Sequence, residues 1–129
     1  MTDDLGAEEW LVVAEQELAR TRRFLAHDDV FAAYCLESAV DTYLRAYYCA
    51  VEVEVPADVR LCELARHAVS DETPIYHEAC ERIARQSAQV RSGADPEIEL
   101  DQIRASLDAV EPMLVQIRDA IRGPAREET

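Results

Sequence analysis

The sequence predicts an all-α protein, an up-and-down bundle of four to five helices. Three observations carry this. Apolar residues recur three and four apart over long stretches, which is the spacing of a helix face. Valines cluster only around 51–55, and turn dipeptides such as Asn-Gly that would join strands are absent. The breaks between periodic segments are short and hold Asp, Pro or Gly. At 129 residues the chain is read as one domain. A domain of this size buries roughly two-thirds of its unfolded surface.

The elements follow in order. Residues 1–6 are expected to form a loose arm. The first helix spans about 7–26. Asp4 or Gly6 is its candidate cap, and Glu8 and Glu9 suit its positive end. Leu11, Ala14, Leu18, Thr21 and Leu25 make its inner stripe, with Trp10 and Val13 beside it. A turn at His27-Asp28-Asp29 leads into the central helix, about 29–52, with Asp29 as candidate cap. Ala32, Cys35, Ala39, Tyr43, Ala46 and Ala50 form a small-residue face. Leu36, Val40, Leu44, Tyr47 and Val51 form a bulkier one. A helix apolar around more than half its girth must be covered on several sides, so the other helices should pack around this one. Only Glu37, Ser38, Asp41, Thr42 and Arg45 are expected to face water.

Glu52 to Pro56 alternates like a strand but has no partner, so it reads as a frayed helix end and a loop. A shorter helix follows at about 57–69, with Val59, Leu61, Cys62, Leu64 and Ala65 apolar. Thr73 and Pro74 open the next helix, about 74–91. Its inward residues are Ile75, Tyr76, Ala79, Cys80, Ile83, Ala84 and Ser87. The last helix spans about 97–122. There Ile103, Leu107, Val110, Leu114, Ile117 and Ile121 form a heptad-like seam. The seam either completes the bundle or serves a second copy of the chain. Pro112 inside it predicts a kink. Gly123-Pro124 stops the helix, and the tail at 123–129 is expected to be disordered.

The charge is lopsided. There are 27 acidic residues against 13 basic ones, and every basic residue is Arg. A net charge of −14 repels nucleic acid at long range, so any such contact needs a local Arg cluster. Acid excess without Lys fits a salt-rich cytoplasm or GC-rich codon usage, and neither identifies a function. No apolar run suits a membrane span, and the acidic N-terminus lacks a signal pattern. The expected compartment is the cytoplasm, with Cys35, Cys49, Cys62 and Cys80 as reduced thiols.

Helix order and pattern together resemble the HEPN superfamily (higher eukaryotes and prokaryotes nucleotide-binding domain). The first helix opens on Trp10 and reads Trp-Leu-Val-Val-Ala-Glu-Gln-Glu-Leu to Leu18. The central helix from Ala33 to Ala46 is similar to the family's Tyr-x-Cys followed by Gln-Ala-x-Glu-x-x-Leu-Lys-Ala. Glu37 replaces the usual Gln, and Asp41 the usual Glu. Pro56 then leads into a short helix, where Arg60 stands at the His of a His-Asp-Leu. A basic turn, Val90-Arg-Ser-Gly-Ala-Asp, sits where the family often has Arg-Tyr-Pro. The similarity covers nearly the whole chain and lies in pattern more than in one motif.

The resemblance implies a homodimer and one of two activities. Many members are metal-independent RNases carrying Arg, four to six residues, then His. Others have lost that motif and bind nucleotides or act as accessory partners of small nucleotidyltransferases in toxin–antitoxin-like pairs. Here Arg91 is followed at the required distances by Pro96, Glu97 and Ile98. The matching spacing is Arg60 to His67, on the third helix and away from the family's usual place. His as acid or base and Arg as phosphate cation suit cleavage through a 2′-hydroxyl. The plainer reading is a solvated His and an ion-paired Arg.

Two further constellations stand out in the sequence. Cys62, His67, His77 and Cys80 make a zinc-compatible set, but Cys62 and His67 lie about 140° apart around a helix, so no metal or other cofactor is expected. Arg82, Arg85 and Arg91, toward the end of their helix, suit bidentate phosphate recognition and are the candidate nucleotide or anion site. Ion pairing with nearby acids competes with that role. Tyr34, Tyr43, Tyr47 and Tyr48 can stack a base, although Tyr43 and Tyr47 fit a core with their hydroxyls at its edge. The function expected is therefore a non-catalytic domain that binds a nucleotide or RNA end, or acts as accessory partner of a small nucleotidyltransferase in a toxin–antitoxin-like pair. The alternatives are an RNase using Arg60 and His67, or a structural adaptor.

Overall fold

A computed structural model of the chain describes residues 6–54, 63–64, 74–92 and 100–123. Four helices make up nearly all of these: α1 (Ala7–Ala26), α2 (Ala32–Ala50), α3 (Pro74–Arg91) and α4 (Leu100–Arg122). There is no strand among the described residues, and Glu52 to Glu54 are exposed loop. Of the helix expected at 57–69, only Glu63 and Leu64 are described. Both are helical, and Leu64 is buried in the core. The rest of that segment lies outside the described residues, as do residues 1–5 and the tail from 124.

Each helix forms where its apolar stripe predicts. In α1 the buried residues are Leu11, Ala14, Leu18, Thr21 and Leu25, the whole of the expected stripe. Gly6 is its N-cap. A glycine has no side chain to cap with, so the reverse half of a capping box operates alone. The Glu9 carboxylate accepts the Gly6 N–H at 2.6 Å. The turn into α2 is a Schellman motif. The Asp29 N–H donates to Phe24 O at 2.9 Å and the Asp28 N–H to Leu25 O at 3.0 Å, with Asp28 in the left-handed region (φ 55°).

Asp29 Oδ1 accepts the Phe31 N–H at 3.0 Å and so closes the turn ahead of α2, but the N-cap of the helix itself is Phe31, without a side-chain cap bond, and not Asp29 as expected. Regular helix starts at Ala32 instead of Asp29. The intervening turn is closed by three-residue hydrogen bonds, Ala32 to Asp29 and Ala33 to Val30, which wind more tightly than an α-helix. The helix also stops at Ala50, short of Glu52, because Glu52 flips to φ 60°. Val51 is thereby 45 % exposed and leaves the face on which it was expected.

The packing makes α2 central. It contacts α1, α3 and α4, whereas α1 and α3 do not touch. Neighbours run antiparallel: Arg122 near the end of α4 meets Glu8 at the start of α1, and Arg91 at the end of α3 reaches Glu37 early in α2. The described helices thus form an up-down-up-down bundle of rhombic section, with α2 and α4 across its short diagonal. One core joins them, including Leu11, Leu36, Leu44, Ile83, Ile103 and Met113, all of them fully buried.

The seam of α4 is buried inside this bundle. Ile103, Leu107, Val110, Leu114 and Ile117 are all covered and Ile121 packs at its edge. A second copy of the chain would therefore have to use another face. Helix α4 runs through Pro112 without a break, the proline lying on the exposed side. No helix among the described residues is long and apolar enough to cross a membrane.

Candidate functional site

The expected anion-binding arginines divide between two sides of α3. Positions 82, 85, 86 and 89 share one helix face, and that face meets α4. There Arg82, Arg85, Gln86 and Gln89 line a groove of about 370 Å³ with Gln102 and Ala105 of α4. Its floor is fixed by a buried hydrogen bond across the helix pair, in which Ser106 Oγ donates to Gln86 Oε1 at 3.1 Å. Gln86 was not among the expected inward residues of α3. It is buried because Ser106, itself fully buried, supplies its partner.

Arg91 belongs elsewhere. It is turned toward α2, where its guanidinium lies over the Tyr34 ring at 5.8 Å and 3.9 Å from the Glu37 carboxylate. Its Nε also reaches Ser87 Oγ at 3.4 Å. Tyr34 in turn stacks on Phe31 (5.2 Å), and Phe31 meets Phe24 edge-on (5.7 Å). Arg91 is thus tied to an aromatic corner at the end of the bundle, and the three arginines do not converge. The acid it pairs with comes from α2; neither its own helix nor α4 supplies it.

Ion pairing among the described residues separates the arginines into two groups. Arg22, Arg45, Arg91, Arg104, Arg118 and Arg122 each have a carboxylate within 4 Å. Arg122 is the most heavily engaged, with Glu8 at 2.7 Å and Glu15 at 2.8 Å. Its guanidinium holds the Glu8 carboxyl below the usual carboxylate range. Arg82 and Arg85 are in the other group: exposed, and among the described residues with no hydrogen bond, no ion pair and no acid lining their groove.

Arg60 and His67, the expected RNase pair, lie outside the described residues. So do Cys62 and His67 of the zinc-compatible set. Of that set's remainder, Cys80 is fully buried and His77 has its Nε2 3.4 Å from Glu81. No group of metal-ligating residues gathers among the described residues. Cys35 is a buried free thiol, and burial pushes its pKa upward, which favours the protonated form.

A second groove escaped the sequence reading. It lies between α1 and α4, has a volume of about 550 Å³, and is floored by Leu18, Tyr43 and Leu114. Arg22, Arg23 and Arg118 stand around it with Glu15 and Glu111. Tyr43 is 4 % exposed, a core residue with its hydroxyl at an edge, as its spacing suggested. Nothing local marks this groove, because its walls are some ninety residues apart in sequence. Of the other tyrosines, Tyr48 is buried and donates to Leu64 O at 3.2 Å, and Tyr47 is half-buried against it. Tyr34 alone offers an open ring face, and Arg91 covers it.

No family model, curated protein or solved structure matches this chain.

Proposed function

We propose that the chain is a HEPN-like helical domain without cleavage chemistry at this site, binding the phosphate of a nucleotide or RNA end in the α3–α4 groove. One observation carries the reading. In a chain of net charge −14, Arg82 and Arg85 stand side by side in a groove that, among the described residues, no carboxylate lines. An arginine in such a protein has many acids available to pair with. Two that remain unneutralised leave ten N–H donors facing a concave surface, a match for phosphate oxygens. Gln89 and Gln102 add amide donors and acceptors beside them, the groups that read a base edge. The described residues of the groove make an anion donor set, which supports binding.

The test is a binding titration of the purified chain with a short single-stranded RNA bearing a 5′-phosphate, against the same RNA with a 5′-hydroxyl. The phosphorylated RNA binds more tightly, and rising salt weakens it. Arg82→Ala with Arg85→Ala lowers affinity by about tenfold or more, the value of one to two charged hydrogen bonds. Arg91→Ala leaves it nearly unchanged, because that side chain is held by Tyr34 and Glu37. Equal binding of the two RNAs, or an Arg91 effect larger than that of Arg82 and Arg85, would sink the reading.

A further inference from the structure

We infer that the groove between α1 and α4 is a second ligand site, built for a small amphipathic monocarboxylate. It is separate from the α3–α4 groove and stands or falls apart from it. Its volume, about 550 Å³, is that of a small-molecule pocket. Its floor is apolar, and Val115 at its wall is one of the few large apolar side chains left exposed. An alkyl or aryl body laid there would cover Leu18, Leu114 and Val115.

Apart from two carboxylates held by arginines, the polar groups in the groove are donors. Tyr43 is more than nine-tenths buried and lines the groove, yet its hydroxyl has no hydrogen-bond partner among the described residues. That hydroxyl lies at the groove's edge, so an acceptor arriving in the groove takes its hydrogen bond in place of water. Arg23 stands at the rim with no ion pair among the described residues, and Arg118 has only its sequence neighbour Asp119 at 3.1 Å. The two carboxylates that share the groove are already committed. Glu111 is held by Arg22 at 2.7 Å and Glu15 by Arg122 at 2.8 Å. The incoming group is therefore an anion. The long-range field of the acidic chain opposes every anion in proportion to its charge, which favours a monocarboxylate over a polyphosphate. The carboxylate then accepts from Tyr43 and pairs with Arg23 or Arg118 at the rim, while its tail lies along the floor.

The experiment is an NMR titration of the full isotope-labelled chain with octanoate, 1-octanol and acetate, each below its aggregation concentration. Octanoate shifts the amide signals of residues lining α1 and α4 and saturates. Octanol, which lacks the charge, and acetate, which lacks the body, bind about tenfold more weakly or worse. Ala19→Trp fills the groove from an exposed position of α1 and abolishes binding, with the helical circular dichroism unchanged. Arg118→Gln weakens octanoate by about tenfold, and Tyr43→Phe by a smaller factor. Arg82→Ala with Arg85→Ala has no effect here, so the outcome is independent of the RNA titration. Equal binding of octanol and octanoate, shifts scattered over the surface, or binding that survives Ala19→Trp would overturn the proposal.

Discussion

Two residues hold a backbone conformation that their side chains oppose. Asp28 and Glu52 both sit in the left-handed region, at φ 55° and 60°, and each closes a Schellman motif at the end of a helix. At α2 the Val53 N–H donates to Tyr48 O at 3.0 Å and the Glu52 N–H to Cys49 O at 3.1 Å. Glycine is the usual residue there, because a Cβ in this conformation meets its own carbonyl. Asp tolerates the position better than Glu, and Asp28 Oδ1 also accepts from Arg104 Nη2 at 3.3 Å. No such compensation is seen at Glu52, which is exposed and, among the described residues, makes no side-chain hydrogen bond. Glu52→Gly should therefore raise stability by about 0.5–1 kcal/mol, the relieved strain less the extra entropy of an unfolded glycine. Asp28→Gly should gain less, since it also loses Arg104. Chemical denaturation of both variants tests the pair. A Glu52→Gly protein no more stable than the parent would refute the strain argument.

At the level of the element, what the sequence disclosed depended on whether a residue's partner was local. The stripe of α1 is a property of one helix and its spacing, and all five residues named for it are buried. Gly123 ends α4 at φ 85°, a conformation its lack of a side chain made readable. The stop at Asp28 carries no glycine, but the polar turn His27-Asp28-Asp29 marked it, whereas the stop at Glu52 has no such signal and α2 ends two residues before the expected position. The polar side of α2 was misjudged for the same kind of reason. Thr42 was expected in water and is 7 % exposed, because Glu17 of α1 reaches across to it. The Glu17 carboxylate accepts from Thr42 Oγ1 at 2.7 Å and from Ser38 Oγ at 3.0 Å. That partner is 25 residues away, and no periodicity announces it. The grooves are harder still, since each needs two helices placed side by side before it exists. A double-mutant cycle measures the Glu17 link. Glu17→Leu alone should cost about 1–3 kcal/mol, because Thr42 and Ser38 lose a charged acceptor and Thr42 keeps only the Ser38 carbonyl, at 2.9 Å. In the presence of Thr42→Val the same change should cost about 1 kcal/mol less, since the bond from Thr42 to the carboxylate is already gone. Strict additivity of the two substitutions would show that the network contributes nothing.

For the whole molecule, two electrostatic effects oppose each other. Arginine bridges fasten α1 to α4 along the second groove: Arg122 to Glu8 and Glu15 at one end, Arg22 to Glu111 between, and Arg104 to Leu25 O (2.8 Å) and Asp28 at the other. All are at least partly exposed, and such pairs are worth about 0–1 kcal/mol each. Against them stands the self-repulsion of a chain with 27 acids and 13 bases. The two differ in range, and range decides which one salt weakens more. The bridges act over about 3 Å, close to the ~3 Å Debye length of 1 M salt, whereas the repulsion acts across the bundle and survives only at the ~30 Å Debye length of 0.01 M salt. Adding sodium chloride should thus remove more repulsion than attraction, and the melting temperature should climb between these two concentrations. The rise should be steepest in the lower part of the range, where the Debye length shrinks through the size of the molecule. Arg22→Gln should flatten none of it, because that variant removes one short bridge and makes the net charge more negative. A melting temperature that falls with salt would mean that the arginine bridges between α1 and α4, and not the excess of acid, dominate the electrostatics of the fold.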